Sequence, residues 1–510
     1  MSRIVGIDLG TTFSALAVFD EIGKPEIVPN ADGDRITPSA VYFPREEAGK
    51  TIVGAEAVKA VAFDDARVIQ EIKRQMGDEH AWPVDEDKYS PTQLSSLILK
   101  KMAQDAAVQK GEISRAVITV PANFSEAARK ATMDAGKLAG LDVTHIINEP
   151  TAAALFYAVN AEITGRVIVY DLGGGTFDVT VADIDGTDVR VVASLGDKFL
   201  GGKDFDRKIL AAMDAAYEAK HGKKLVGSEA DEAKFIGEAE SLKRTLSSRE
   251  KAGTVVNGPS GPFKFEMTRA EFEEAISTEI ARTETMIDGV LDEASTKPGD
   301  IAHVLLVGGS TRIPVVRTKL AKAFGREPEL AVNVDEAVAL GAAIYAGLHA
   351  TPEQLNPAQT ATLKKVKLSD VCGHYYGTIA VTLNERTGRE ELANSIILEK
   401  NTALPCSNSE VFQTISDGQT EINCTITQSA FPESNPEFVT VISEESFDQL
   451  PAGRPAGQEI EVTFSYDENE RMQCVFKDVA SGKKYESTVQ PQGSRDVEAE
   501  KAGVADFVVE

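Results

Sequence analysis

Two stretches of the sequence combine aspartates with a glycine turn, which is a combination suited to binding phosphate and a metal ion. In residues 167–181 (VIVYDLGGGTFDVTV), a run of β-favouring residues leads into Asp171, and glycines 173–175 separate it from a second apolar run. Backbone N–H groups at such a turn can surround phosphate oxygens, because glycine has no side chain in the way. The carboxylates of Asp171 and Asp178 can hold a hydrated Mg²⁺. Taken alone, the stretch fits an ordinary glycine-rich hairpin equally well.

The same arrangement occurs near the start of the chain. Residues 4–18 (IVGIDLGTTFSALAV) again run from a predicted strand through Asp8 and Gly10 into a return strand. Two half-domains that face each other, each with a phosphate-binding hairpin, would grip a nucleotide from both sides. Neither stretch is a Walker loop, which needs GxxxxGK[ST] before a helix, and neither is a dinucleotide fingerprint.

The two hairpin sequences, DLGTTFS (8–14) and DLGGGTFDV (171–179), resemble those of actin-like ATPases, and specifically of the 70-kilodalton, DnaK-like heat-shock chaperones. Further stretches resemble the same family in the same order, namely IKRQMG (72–77), AVITVPANFSEAARKATMDAGKLAGL (116–141), IINEPTAAA (146–154), FLGGKDFD (199–206), ESLKRTLSS (240–248) and LLVGGSTRIP (305–314). The resemblance covers residues 1–347 densely. It implies an α/β actin-like ATPase of two lobes, which is a duplicated ribonuclease-H-like unit.

The resemblance also implies a set of catalytic residues around the γ-phosphate of ATP. Lys73, on a stretch predicted to be helical (67–76), would point at this phosphate, although a lone lysine on a helix is ordinarily solvated. Glu149 would orient water or belong to the magnesium shell, and Asp8 and Asp171 would hold Mg²⁺ through water molecules. The implied catalytic residues are therefore Asp8, Lys73, Glu149, Asp171, Thr176 and Asp178.

The adenosine face is expected on a helix over residues 231–248. Glu240, Lys243, Arg244 and Ser247 follow the spacing i, i+3, i+4 and i+7, which puts them on one side of the helix. Spacing alone fits a solvent-exposed, salt-bridged face. By resemblance, Glu240 and Lys243 contact the ribose of ATP or ADP, Arg244 stacks on the purine, Ser247 hydrogen-bonds to it, and Arg312 covers its other side. The remaining nucleotide contacts implied by the family are Gly10, Thr11, Thr12, Phe13, Gly173, Gly174, Gly175, Gly201, Gly202, Gly308, Gly309, Ser310 and Asp335. K⁺ is a further expected ion.

The sequence departs from the family pattern at Lys203 and at the end of the linker. Lys203 replaces an acidic residue, so the salt bridges that hold the cleft closed are expected to differ. Residues 348–370 are predicted to form a linker, and its end, VKLSD (366–370), has Lys367 and Ser369 where the family has leucines. We therefore expect weakened docking of this linker against the ATPase domain, which puts tight interdomain coupling in doubt.

The region from residue 371 to 489 is predicted to be an all-β sandwich that resembles the family's peptide-binding domain. Apolar residues alternate with polar ones in 460–466 and 472–476, which is typical of half-buried strands. Further strands are predicted at 377–383, 395–398, 410–416 and 420–427. Residues 490–510 are predicted to be a polar tail rather than the family's helical lid. A groove without a lid should release peptide faster.

Composition limits the partners. The formal net charge of −27 argues against a nucleic-acid partner, and no run of about 20 apolar residues could span a membrane. The first predicted strand begins by Ile4, which leaves no room for a signal peptide, so a cytoplasmic location is expected.

The sequence therefore predicts an ATP-dependent chaperone that hydrolyses ATP, slowly, and binds unfolded or extended polypeptide, with a J-domain co-chaperone and a nucleotide-exchange factor as possible partners. One alternative is a small-molecule kinase on the same fold, which would not explain the appended β-domain. Another is an ATP-binding switch or co-chaperone with little hydrolysis. The altered linker, the absent lid and Asn123, where the family usually has an aromatic residue, keep this alternative open. His145 stands where bacterial relatives tend to have an arginine that meets the J-domain, which leaves the choice of co-chaperone open as well.

Overall fold

The computed structural model describes residues 3–47, 49–161, 163–330, 333–384, 388–467, 472–488, 500–501, 503–504 and 507–510. Their helices and strands form two lobes built on one repeated sheet pattern, followed by a β-sandwich. None of the described helices combines the length and apolarity that crossing a membrane requires.

The first lobe (residues 3–161) is built on a sheet with the strand order β11-β10-β1-β2-β3. Its strands are β1 (Arg3–Asp8), β2 (Phe13–Phe19), β3 (Pro25–Ile27), β4 (Thr37–Pro38), β5 (Val41–Tyr42), β6 (Lys50–Val53), β7 (Val68–Ile69), β8 (Trp82–Val84), β9 (Asp87–Tyr89), β10 (Ile113–Val120) and β11 (Asp142–Asn148). Its helices are α1 (Ala55–Asp64), α2 (Pro91–Lys110), α3 (Glu126–Leu138) and α4 (Glu149–Ala161). β1 is antiparallel to β2 and parallel to β10. The last five residues of β10 (AVITV, 116–120) are all buried and apolar except Thr119, as expected for a strand covered on both faces.

The second lobe (residues 163–330) repeats this pattern with the order β18-β17-β12-β13-β14. Its strands are β12 (Gly165–Leu172), β13 (Phe177–Asp185), β14 (Asp188–Asp197), β15 (Lys251–Gly258), β16 (Gly261–Thr268), β17 (His303–Val307) and β18 (Glu329–Leu330). Its helices are α5 (Gly202–His221), α6 (Glu229–Ser248), α7 (Arg269–Ala275), α8 (Ser277–Glu293) and α9 (Pro314–Phe324). β12 is antiparallel to β13 and parallel to β17, as β1 is to β2 and β10. The predicted duplicated, two-lobed ATPase fold is confirmed.

Helix α10 (Ala337–Leu348) returns from the second lobe and packs against α4 and β1 of the first. A Cβ atom at Gly341 would lie 1.8 Å from the carbonyl oxygen of Ala152, so the approach of α10 to α4 requires glycine there. This helix joins the cores of the two lobes.

The predicted linker is ordered. It contains helix α11 (Pro357–Leu363) and strand β19 (Lys367–Ser369), which extends the second lobe's sheet by pairing in parallel with β14. Leu368 packs against the apolar core, whereas Lys367 faces solvent and lies 3.4 Å from Asp188. The linker therefore docks in this structure with Lys367 and Ser369 present, because backbone pairing tolerates polar side chains on the exposed face. The weakened docking that we expected from these two residues stays a prediction.

The β-domain consists of two four-stranded sheets, β21-β20-β23-β24 and β22-β25-β26-β27. Its strands are β20 (Tyr375–Asn384), β21 (Arg389–Leu398), β22 (Cys406–Gln413), β23 (Ile422–Ser429), β24 (Thr440–Phe447), β25 (Glu459–Tyr466), β26 (Met472–Asp478) and β27 (Lys484–Thr488). The alternating residues of β25 and β26 face one buried core between the sheets, which confirms the sandwich. β24 was not predicted, and the strand predicted at 395–398 is part of the longer β21.

The last described residues form strand β28 (Val508–Val509), which pairs with β6 of the first lobe. The polar tail that we predicted for 490–510 is therefore wrong for these residues, because Val504 and Val509 are buried in the first lobe's core. Residues 490–499, 502, 505 and 506 of the predicted tail lie outside the described residues.

Candidate active site

The two glycine hairpins meet across a cleft between the lobes. A Cβ atom at Gly174 would lie 2.0 Å from the side-chain oxygen of Thr12, and one at Gly175 would lie 2.3 Å from the side chain of Thr11. Only glycine backbone fits this approach. Below the hairpins lies a cavity of about 480 Å³ whose wall includes residues of both lobes. The structure thus brings the two predicted phosphate-binding hairpins to one site.

Asp8 and Asp171 occupy corresponding places near the ends of β1 and β12, and both line the cavity. Thr119 donates a hydrogen bond of 3.1 Å to Asp8. Burial, followed by the nearby charge of Glu149, raises the pKa of Asp8 to about 7, and the same causes raise the pKa of Asp171 well above its usual value. Buried carboxylates this close together need a compensating cation or protons.

One cation that the protein itself supplies near these carboxylates is Lys73, which forms a buried ion pair with Glu149. Lys73 lies on a four-residue 3₁₀ turn (Ile72–Gln75), so the longer helix that we predicted for 67–76 is wrong. The preceding residue, Glu71, has a left-handed backbone with φ of 57°, which interrupts any helix at this point. The turn nevertheless directs Lys73 into the cavity, as predicted.

Four of the predicted residues lie behind the cavity wall rather than on it. Gly201 supports the second hairpin, since a Cβ atom there would lie 2.6 Å from the nitrogen of Gly175. The nitrogen of Gly202 donates to the carbonyl of Gly173 at 3.0 Å. Asp178 is buried opposite Asp171 in the β12–β13 ladder, and burial raises its pKa well above the usual value. The three glycines of this set, Gly175, Gly201 and Gly202, hold the hairpin in shape.

The predicted adenosine residues also line the cavity. Glu240, Lys243, Arg244 and Ser247 reach it from α6, whereas Gly308, Gly309, Ser310, Arg312 and Asp335 reach it from the turn after β17 and the segment before α10. Arg244 lies 5.5 Å from the ring centroid of Phe13, and Arg312 donates to Asp335 at 2.8 Å. The remaining predicted residues on the wall are Gly10, Thr11, Thr12, Phe13, Glu149, Gly173, Gly174 and Thr176.

Lys203, the departure from the family pattern, is buried and donates to Glu240 at 3.1 Å. Burial of Glu240 works to raise its pKa, but the charges of Lys203, Lys243 and Arg244 outweigh it and lower the pKa to about 2. Glu240 is therefore held as a carboxylate on the cavity wall. Other ion pairs close the cleft, including Arg207 with Glu71 at 3.0 Å.

Sequence reasoning missed three residues of the site. Arg74 donates to the carbonyl of Gly175 at 2.8 Å and also pairs with Asp204 at 2.6 Å, so it ties the first lobe to the second hairpin. Asp206 is fully buried and lies 2.8 Å from Lys243. Thr119, which contacts Asp8, is the third. Arg74 directly follows Lys73 in the motif IKRQMG, and Asp206 ends the motif FLGGKDFD, which also contains Gly201 and Gly202. Their closeness in sequence to predicted site residues was the signal that could have identified them.

The site fits a nucleoside triphosphate with a divalent cation. The buried hydroxyls of Thr11 and Thr12 find no hydrogen-bond partner among the described residues, and both face the cavity. Glycine backbone from two hairpins and the Gly308–Gly309 turn can approach phosphates closely. The carboxylates of Asp8 and Asp171 are the oxygen ligands that Mg²⁺ or its bound waters prefer.

Comparison with known proteins agrees with this geometry. The family model described as Hsp70 protein matches residues 4–84 and 81–506. The chain belongs to the Hsp70 family. It is similar to the chaperone protein DnaK of Thermotoga neapolitana, Thermotoga petrophila and Thermotoga maritima, each 38% identical over 496 residues, which is 95% of this chain and 80% of the relative. This Hsp70 is accordingly an ATP-dependent molecular chaperone and an ATPase.

Proposed function

We propose that the cleft between the lobes hydrolyses ATP with the residues named above, and that hydrolysis changes how the β-domain holds an extended polypeptide. The observation that carries this proposal is the meeting of the two hairpins over Asp8, Asp171 and the Lys73–Glu149 pair. Glycine backbone and the hydroxyls of Thr11 and Thr12 bind the phosphates. α6 and Arg312 hold the adenosine.

Lys73 and Thr176 stabilise the negative charge on the γ-phosphate, and Glu149 orients the attacking water. Asp8 and Asp171 would hold Mg²⁺ through its waters, and K⁺ is a further ion that these oxygens could bind. Mg²⁺, when bound, neutralises charge on the phosphates. Because Lys73 and Glu149 are paired and buried, their positions are set before ATP binds, which lowers the reorganisation that hydrolysis requires.

Coupling to the β-domain runs through Asp370, which directly follows β19. Asn148 and Thr151 donate to its carboxylate at 3.1 and 2.8 Å, and these two residues flank the catalytic Glu149. Arg129 in turn donates to Asn148 at 2.7 Å. A shift of Glu149 when ATP binds or is hydrolysed would therefore move the groups that hold the linker.

The β-domain itself rests on the first lobe. Glu126, at the start of α3, accepts hydrogen bonds of 2.7 Å from both Tyr376 and Tyr466 of the β-domain. Lys400 pairs with Glu293 of the second lobe at 3.0 Å. We propose that this docked arrangement is one of two states, and that release of these contacts accompanies tight polypeptide binding.

The division of functions that we propose follows three of the boundaries predicted from the sequence, with the ATPase domain in 1–347, the linker in 348–370 and the β-domain in 371–489. Unfolded polypeptide is the proposed client, and a J-domain protein and a nucleotide-exchange factor are the proposed partners. The cytoplasmic location stays a prediction.

The test is phosphate release with and without an unfolded peptide, compared between wild type, Lys73→Ala and the control Lys59→Ala. Lys59 is an exposed residue of α1 that pairs only with Glu56 among the described residues. We expect Lys73→Ala to slow turnover about 100-fold or more, because a charge that stabilises the transition state is lost, and the control to stay within about twofold.

Labelled ATP measures binding separately in the same variants. Peptide-stimulated, Lys73-dependent turnover supports the chaperone cycle. Tight ATP binding without turnover in the wild type would contradict it in favour of a non-enzymatic switch, and a phosphorylated small molecule would favour a kinase.

A further inference from the structure

A short strand from the end of the described chain lies on the first lobe. β28 pairs in parallel with the edge strand β6, with Val508 opposite Lys50 and Val509 opposite Thr51. The nitrogen of Val508 donates to Gly49 at 2.9 Å, and the nitrogen of Val53 donates to the carbonyl of Glu510 at 2.8 Å. The strand completes a four-stranded sheet, β28-β6-β5-β7.

The two valines of this strand have opposite environments. Val509 is 7% exposed and belongs to the first lobe's core, whereas Val508 is 62% exposed. The ring of Phe507 lies 5.7 Å from that of Phe43 and 5.9 Å from that of Tyr89, both edge-on. The first lobe thus offers an aromatic pocket and an apolar pocket two residues apart, which is the spacing of one face of a strand.

Polar contacts hold the backbone that leads to the strand. Lys100 donates to the carbonyl of Phe507 at 2.9 Å, and Gln93 donates to the carbonyl of Glu500 at 2.9 Å. Lys50 lies 2.7 Å from the carboxylate of Glu510. Two donors that project from α2 therefore recognise main-chain oxygens, and recognition of main chain together with alternate side chains is the pattern of β-augmentation.

We propose that the edge of β6 together with Phe43, Tyr89, Gln93 and Lys100 forms a peptide-binding groove, and that residues 507–510 of the same chain, with Glu500 held by Gln93, occupy it as a clasp. The β-domain is then joined to both lobes by strand addition, through β19 to the second lobe and through β28 to the first. Opening the clasp frees the chain that follows β27 from the first lobe and uncovers the groove. This inference concerns a site away from the ATP cleft and does not depend on hydrolysis.

The two valines provide a matched pair of variants, Val509→Asp and Val508→Asp, in the full chain without nucleotide. Val509→Asp puts a charge into the apolar pocket, so the clasp opens and the amide of Val53 loses its acceptor. We expect hydrogen exchange at Val53 to accelerate at least tenfold in this variant. Val508→Asp places the same charge in solvent and should leave the exchange within about twofold of wild type.

A fluorescein-labelled peptide of residues 500–510, added in trans, reports on the groove. It should bind the Val509→Asp protein at one per chain, and bind wild type and Val508→Asp at least tenfold more weakly, because their own clasp competes. A peptide that carries Val509→Asp should bind none of the three. Trp82 is the single tryptophan of the chain and packs against the first lobe's core. Its fluorescence therefore checks that the lobe stays folded in each variant. Phe507→Ala provides a milder second variant with the same expected direction.

Unchanged exchange at Val53 in both Val509→Asp and Phe507→Ala, with Trp82 fluorescence preserved, would overturn the clasp. Failure of the labelled peptide to bind these variants would overturn the groove. Sedimentation that shows wild type to be a dimer which Val509→Asp dissociates would also overturn the proposal, since the strand would then come from a second copy. Failure of the ATPase assignment would change none of these readouts.

Discussion

Glu126 provides a sensitive test of interdomain docking, because one carboxylate accepts hydrogen bonds from two tyrosines of the other domain. Its oxygen lies 2.7 Å from the hydroxyls of Tyr376 and Tyr466, and all three side chains are buried. In Glu126→Ala, both hydroxyls lose this acceptor while the domains are docked. After undocking they would be hydrated, so the substitution destabilises the docked state specifically.

The expected size follows from the two contacts. A hydrogen bond to a charged group contributes roughly 1.5–3 kcal/mol, so two contribute about 3 kcal/mol at the lower end. Since 1.4 kcal/mol is a factor of ten, the docking constant should fall about 100-fold. Glu126→Gln keeps an acceptor oxygen without its charge and should give an intermediate loss.

Limited trypsin digestion measures the undocked population. The linker carries Lys364 and Lys365 between α11 and β19, and Lys367 is the first residue of β19. Pairing of β19 with β14 restrains this backbone in the docked state. Cleavage in this segment should accelerate towards 100-fold in Glu126→Ala, provided that docking is fast relative to cleavage. Mass spectrometry of the fragments identifies the site.

A double-mutant cycle separates docking from a local effect on α3, since an acidic residue in the first helical turn itself contributes about 0.3–1 kcal/mol. Tyr376→Phe and Tyr466→Phe should each accelerate cleavage in the wild-type background and add little in Glu126→Ala. Cleavage rates within twofold of wild type in Glu126→Ala, or additive effects of the tyrosine substitutions, would refute the reasoning.

Two further predictions concern the hairpin and pH. Gly201→Ala would press a methyl group against the nitrogen of Gly175, so the nucleotide affinity measured by titration should fall at least tenfold. Gly237→Ala is the control, because Gly237 lies on the exposed face of α6 with open space around it. This control should raise the free energy of unfolding by about 0.5–1 kcal/mol. Burial and then the charge of Arg129 lower the pKa of His374 to about 3 from 6.5. The unfolded chain therefore binds a proton that the folded one does not between those values, and stability that is complete above pH 6.5 is lost as pH falls. Between pH 7 and pH 5.5, the free energy of unfolding measured by denaturant titration should fall by about 1 kcal/mol more in wild type than in His374→Gln. An equal fall in both proteins would contradict this prediction.

The features that could be predicted from the sequence are those whose chemistry is local. Asp8 with Gly10, and Asp171 with the glycines 173–175, lie within single hairpins, so the repetition of one hairpin predicted the duplicated fold and the cleft. The face of α6 follows from the helical period, and β25 follows from strict alternation. In each case the residues that act together are neighbours in the sequence or one helical turn apart.

The tertiary structure alone decided which distant groups meet. No periodicity pairs Lys73 with Glu149, directs Arg74 to the carbonyl of Gly175, or brings two tyrosines of the β-domain to Glu126. Strand β28 has two residues, too few to show a period, and it exists because the edge of β6 supplies its backbone partners. Contacts between segments far apart in the chain depend on how whole elements pack, and a pattern read along one segment carries no information about its partner.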